Sequence, residues 1–104
     1  MNLVEFLTEA RGLIKEGWCQ GSFRKITDNG VEYCALGAMG YVGTEHHVDL
    51  IPSARRVFAQ LLPEQYFEDT WPMVARWNDE PGRTQEEVLG MFDKAIAYLA
   101  VRGG

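Results

Sequence analysis

The chain has 104 residues, a formal net charge of −5, two cysteines, and 46% hydrophobic against 24% charged residues. This is ordinary globular composition, so a single small domain over residues 1–104 is expected, large enough to hold a core without disulfides or metal. Lysine and arginine are scattered and adjacent only at Arg24-Lys25 and Arg55-Arg56, which leaves no basic face to displace counterions from nucleic acid or to meet an acidic membrane.

No apolar run approaches the length of a membrane span. The N-terminus, Met-Asn-Leu-Val-Glu-Phe, lacks the basic start of a signal peptide. The cytoplasm is therefore the expected compartment, and Cys19 and Cys34 are expected there as thiols. A disulfide between them is the one pairing the sequence permits.

Taken in order, residues 2–16 read as a first helix. Asn2 suits the N-cap, and Leu3, Val4, Leu7, Ala10 and Ile14 line one side, widened by Phe6 and Leu13. Gly12 costs about 1 kcal/mol against alanine inside a helix, and Gly17 suits the C′ position. Trp18-Cys19-Gln20-Gly21 connects to a hairpin over about residues 23–33. Asn29-Gly30 is the preferred pair for a type I′ turn, which predicts Ile26 opposite Tyr33 and Asp28 opposite Val31. Ile26, Val31 and Tyr33 then share one face, and Lys25, Thr27 and Glu32 the other. A two-stranded ribbon is marginal in water, so it is expected to lie on helices.

Cys34 to Gly43 is rich in small residues and predicts a short buried helix. Its glycines fit either close approach of another helix or a backbone N–H cradle for an anion at its start. Thr44 to Leu50 is a loop carrying His46 and His47. Pro52 to Leu62 predicts another helix, with Asp49 or Ser53 near its start, a buried stripe of Ala54, Val57, Phe58, Leu61 and Leu62, and Pro63 ending it. Glu64 to Asp69 reads as irregular. Thr70 then caps Trp71 to Trp77, with Pro72 in the first turn, where a missing N–H costs nothing. The last helix has the clearest signal. Thr84-Gln85-Glu86-Glu87 is a capping box, and Val88, Leu89, Phe92, Ala95, Ile96 and Leu99 follow at helical spacing until Gly103-Gly104.

Three pieces stand out together: Trp18-Cys19-Gln20-Gly21, Cys34-Ala35-Leu36-Gly37-Ala38, and Trp77-Asn78-Asp79 with Pro81-Gly82-Arg83-Thr84. In this order, over about residues 3–100, they resemble a family of small, functionally uncharacterised domains found in actinobacteria and their bacteriophages. Many relatives carry tryptophan before the second cysteine, where this chain has Tyr33. The resemblance implies a mainly helical domain and a phage origin. It implies no activity.

Each polar group has a chemical and a structural reading. Cys19 and Cys34 form the candidate catalytic pair, with His46 or His47 as base and Asn78 or Asp79 orienting it. As buried thiols they are simply small apolar groups, and that reading is favoured. Zinc would need closer Cys or His pairs than these four residues offer, so no metal and no cofactor is expected. Asn78, Asp79 and Arg83 form the candidate ligand-binding group, with Arg83 as a fork for carboxylate or phosphate. Structurally, Asn78 would cap the preceding helix, Asp79 would accept backbone N–H groups or pair with Arg83, and Gly82 would allow the turn. Trp18, Trp71 and Trp77 suit base stacking or, more often, a core, and two of the three are expected to be mostly buried.

The expected fold is therefore mainly α: a compact bundle of about four helices with one β-hairpin inserted after the first. The last helix is expected to be central, packed on the first helix and on Cys34–Tyr41. Trp18, Cys19, Cys34, Gly37, Trp77, Asn78, Asp79, Thr84 and Glu87 are expected to be its structural motif. The expected function is that of a non-enzymatic interaction protein, bacteriophage-encoded, in the host cytoplasm, with a protein partner or a second copy. The alternative is a small-molecule or nucleotide-binding domain with Cys-dependent hydrolysis.

Overall fold

A computed structural model describes residues 1–44, 47–63 and 73–102. Among these the chain forms five helices and one hairpin: α1 (Leu3–Glu16), β1 (Arg24–Thr27), β2 (Gly30–Tyr33), α2 (Ala35–Gly43), α3 (Leu50–Leu61), α4 (Met73–Asn78) and α5 (Gln85–Val101). The fold is mainly helical, with the hairpin after the first helix, as the sequence predicts. The expectations for His46, for the 64–69 stretch, for Thr70, Trp71 and Pro72, and for Gly103-Gly104 lie outside the described residues.

Both long terminal helices begin with a reciprocal cap. The Thr84 hydroxyl accepts the Glu87 N–H at 3.2 Å, and the Glu87 carboxylate accepts the Thr84 N–H at 2.9 Å. Asn2 and Glu5 repeat this at the start of α1, at 2.8 and 2.9 Å. Each cap satisfies donors that the helix itself leaves open. Leu50 starts α3 two residues before Pro52, which therefore occupies a first-turn position whose N–H has no helical acceptor. The buried side of α3 carries Ala54, Val57 and Phe58, continued by Leu62, while Leu61 is half-buried.

The central element is α1 rather than α5. It touches α5, α2, β2 and α3, whereas α5 packs on α1 and α3. The reason lies in its stripe: Phe6, Leu7, Ala10 and Ile14 are wholly buried, and both sides of that stripe find a neighbour. On α5, Val88, Met91, Phe92, Ala95 and Leu99 form the buried side. Phe92 meets Phe58 of α3 edge to face, with centroids 5.0 Å apart. At the rim, Arg11 forks onto Asp93 at 2.7 and 3.2 Å, and Gln85 Nε2 donates to Ile14 O at 2.9 Å.

The hairpin register corrects the predicted one. Ile26 pairs with Val31 and Thr27 with Gly30, so the loop is Asp28-Asn29. No described non-glycine residue has positive φ, so Asn29 does not supply the left-handed conformation that a type I′ turn needs. The Thr27 hydroxyl instead accepts the Asn29 N–H at 3.2 Å and donates to Gly30 O at 3.0 Å, fixing the turn one residue earlier. The slip is by two residues, so the faces are unchanged. Only the base of the hairpin is buried, at Tyr33, while Ile26 and Val31 stand out in solvent.

Candidate functional site

The three sequence pieces meet at one buried amide. Residues 17–19 run beside the end of β2: the Tyr33 N–H donates to Gly17 O at 3.0 Å and the Cys19 N–H to Tyr33 O at 3.2 Å. Gly17 lacks a side chain because a Cβ there would stand 2.9 Å from Val31 O. β2 then passes directly into α2, whose N-cap is Cys34. Across from both lies the end of α4. Val74 and Asn78 are one helical turn apart and both wholly buried, so the amide sits on the apolar side of that helix.

Asn78 uses its full bonding capacity. Its Oδ1 accepts the Trp18 indole N–H at 2.8 Å and the Ala35 N–H at 3.0 Å. Its Nδ2 donates to Cys19 O and to Asp79 Oδ1, each at 3.0 Å. Two lone pairs and two N–H bonds are all that a side-chain amide has. The amide does not cap its own helix, as the sequence suggested; apart from the adjacent Asp79, its partners lie 43 to 60 residues away. Around it, Asp79 Oδ1 also accepts the Gly21 N–H at 3.0 Å, and Gln20 Nε2 donates to Asn78 O at 2.9 Å and Glu80 O at 3.0 Å.

Both thiols are buried. The Cys34 sulfur accepts the Gly37 N–H at 3.2 Å, acting as the helix cap, and Cys19 Sγ donates to Ser22 O at 3.5 Å. Burial, above all, pushes both thiols up from their ordinary range. A raised thiol is a poor nucleophile at neutral pH. Gly37 is where the chain crosses α2: a Cβ would stand 1.9 Å from Phe23 O. That is close approach by the Phe23 main chain, not by another helix.

Arg83 lies apart from the amide. Its Nε donates to Trp77 O at 2.9 Å, its guanidinium covers the Trp77 ring at 4.3 Å, and it reaches Glu87 at 3.5 Å. Asp79 bonds backbone while Arg83 pairs with Glu87. Gly82, at φ +87°, turns the chain between them. Trp77 is buried and Trp18 half-buried. Arg83, Trp77, Glu87 and Lys94 line part of an open depression of about 390 Å³. His47 is half-buried in the loop before α3. Among the described residues no three His, Cys, Asp or Glu side chains gather as a metal would require, and no helix is long and apolar enough to cross a membrane.

The structure therefore brings Trp18, Cys19, Cys34, Asn78 and Asp79 together and places Arg83 and Glu87 at the next corner. Sequence reasoning passed over Gln20 as a bridging side chain and Glu5 as half of a capping box. The signal for Glu5 was present, since Asn2 and Glu5 have capping-box spacing.

No curated protein and no solved structure matches the chain. A family model matches residues 1–98, nearly its whole length, and on that match the chain belongs to DUF6197, a family of unknown function.

Proposed function

We propose that this chain is a small non-enzymatic interaction protein that uses the hairpin and the outer side of α2 to hold a host or phage protein or a second copy of itself. The observation that carries the reading is the position of its exposed apolar surface. Phe23 and Tyr41 are each 56% exposed and Ile26 is 73% exposed. Ile26 pairs with Val31, also exposed, across the hairpin. Phe23 walls an apolar depression of about 280 Å³ completed by Leu36, Gly37, Gly40 and Ile51. Single exposed apolar residues are common, but a group of them spread over the hairpin and α2 beside an apolar hollow is what partner surfaces carry. The bacteriophage origin and the host cytoplasm belong to this proposal and rest on the motif resemblance alone.

The test compares the wild-type chain with Phe23→Ser and Ile26→Ser in affinity capture from a host lysate and in sedimentation of the chain alone. A protein or a second copy held by the wild type and released by either substitution is expected. Equal behaviour of all three chains would overturn the reading. One observation favours the alternative of a small-molecule domain: Arg83 and Lys94 both line the depression of about 390 Å³ beside Trp77. Thermal-shift titration with nucleotides and small carboxylates, repeated on Lys94→Ala, tests it.

A further inference from the structure

The connector after α1 and the strand before α2 run side by side in parallel, with Trp18 and Tyr33 as bridge partners. Cys19 and Cys34 each stand one residue beyond that bridge, on the two neighbouring segments. Neighbouring strands lie about 4.8 Å apart, inside the roughly 4.4–6.8 Å that the Cα atoms of a disulfide span. The contacts place both sulfurs on one side. Cys19 Sγ bonds to Ser22 O, Cys34 Sγ to the Gly37 N–H, and the Gly37 backbone lies against Phe23, the residue after Ser22. Both sulfurs therefore lie toward the Ser22-Phe23 turn. Cys19 is 6% exposed and Cys34 2%, and the run that follows Cys19, Gln20-Gly21-Ser22, is exposed.

The geometry points to Cys19 and Cys34 as a redox-modification site, where exchange with a low-molecular-weight disulfide closes a Cys19–Cys34 bond within the existing backbone. Cys19, next to the exposed run, loses its proton and attacks one sulfur of the reagent. The reagent's S–S bond breaks, and one half leaves as a thiolate that takes up a proton. Cys34, deprotonated in turn, attacks the Cys19 sulfur of the mixed disulfide and expels the second half as a thiol. Two protein thiols are oxidised, one small disulfide is reduced to two thiols, and the protons balance. The bond then fastens the connector to the start of α2. A cross-link of this kind raises the unfolding temperature by restricting the unfolded chain. The raised thiols make the exchange slow at neutral pH and faster in mild alkali.

The test treats the folded full chain with oxidised glutathione in mild alkali and follows intact mass, a non-reducing peptide map and thermal unfolding. The expected product lacks two hydrogens, carries no glutathione, links the peptides of residues 19 and 34, and melts several degrees higher until dithiothreitol reverses it. Cys34→Ser, which keeps a good N-cap residue, should stop at a glutathione adduct on Cys19. Cys19→Ser should react at least about tenfold more slowly than wild type, because Cys34 is the more deeply covered thiol. A stable mixed adduct on the wild type would overturn the inference. So would a link formed only in denaturant, or a linked product that melts lower. Should Cys34→Ser fail to fold, the wild-type mass and melting temperature decide alone.

Discussion

Consider Asn78→Ala. The substitution removes four hydrogen bonds at once, to the Trp18 indole, the Ala35 N–H, Cys19 O and Asp79. The losses are unequal. Trp18 is half-buried and Asp79 exposed, so both recover water. Ala35 is wholly buried and Cys19 nearly so, and their backbone groups are left without partners. An orphaned buried polar group costs about 1–3 kcal/mol. Two of them, with the small cavity, put the loss at about 3–5 kcal/mol, a large part of the roughly 5–15 kcal/mol that holds a domain of this size. With a urea slope of about 1.5 kcal/mol/M, the midpoint should fall by more than about 2 M. Tryptophan fluorescence against urea measures it. Asn78→Asp keeps the shape but places a carboxylate oxygen opposite two acceptors, and should lose at least as much at neutral pH. A loss under about 1 kcal/mol in Asn78→Ala would refute the reasoning, and a gain in stability would point to a ligand-binding amide, since such groups are kept at a cost to the fold.

Other expectations follow from the same geometry. Gly12→Ala meets no atom within 4 Å and should stabilise α1 by about 0.5–1 kcal/mol, whereas Gly37→Ala drives a Cβ onto Phe23 O and should destabilise despite the better helix former; paired urea curves compare them. The Glu87 carboxyl is held below its usual value, chiefly by the Thr84 N–H. Its share of stability is therefore present above the ordinary glutamate range and lost as pH falls through the lowered value; urea midpoints against pH should be flatter in this acid range for Glu87→Gln. The thiols are shifted the other way by burial, so their contribution is complete below the ordinary thiol range and lost as pH rises through the raised values. Native-state iodoacetamide labelling at neutral pH should be at least about 100-fold slower than labelling in urea.

How much of this was legible depends on the reach of each interaction. Capping boxes act over three residues, so Thr84-Gln85-Glu86-Glu87 located the start of α5 at once. The hairpin faces were legible because alternation survives a slip of two residues, but the register was not. The choice between Asn29-Gly30 and Asp28-Asn29 turned on the Thr27 hydroxyl, and turn preferences for Asn-Gly do not count a preceding threonine. The centrality of α1 was hidden for another reason. Both terminal helices carry long apolar stripes, and nothing in a stripe states how many neighbours will share it. Small residues signal close approach without naming what approaches: at Gly43 it is Ile51 of α3 and Phe6 of α1, as a helix contact requires, but at Gly37 it is the Phe23 main chain.

Asn78 was the hardest residue to place, because all but one of its partners lie in two distant stretches while the sequence invites a local reading. Asn and Asp after a helix suggest caps and turns. The clue against a cap is the spacing from Val74, which puts Asn78 on the side of α4 that also carries Met73 and Trp77 as buried neighbours. A buried amide must find partners there, and at that point of the fold they are the Cys19 and Ala35 backbone of the two crossing segments, the Trp18 indole and the neighbouring Asp79 carboxylate. The same accounting supports the interaction reading over a ligand pocket. A group that recognises a ligand must keep a donor or an acceptor unspent, and Asn78 keeps neither. What the motif residues hold in place is the crossing of the connector, the base of β2 and the start of α2. The exposed Ile26 and Val31 of the hairpin and the hollow beside Gly40 are displayed from that crossing, so a motif with no spare bonding capacity still sets the surface on which the proposed partner would dock.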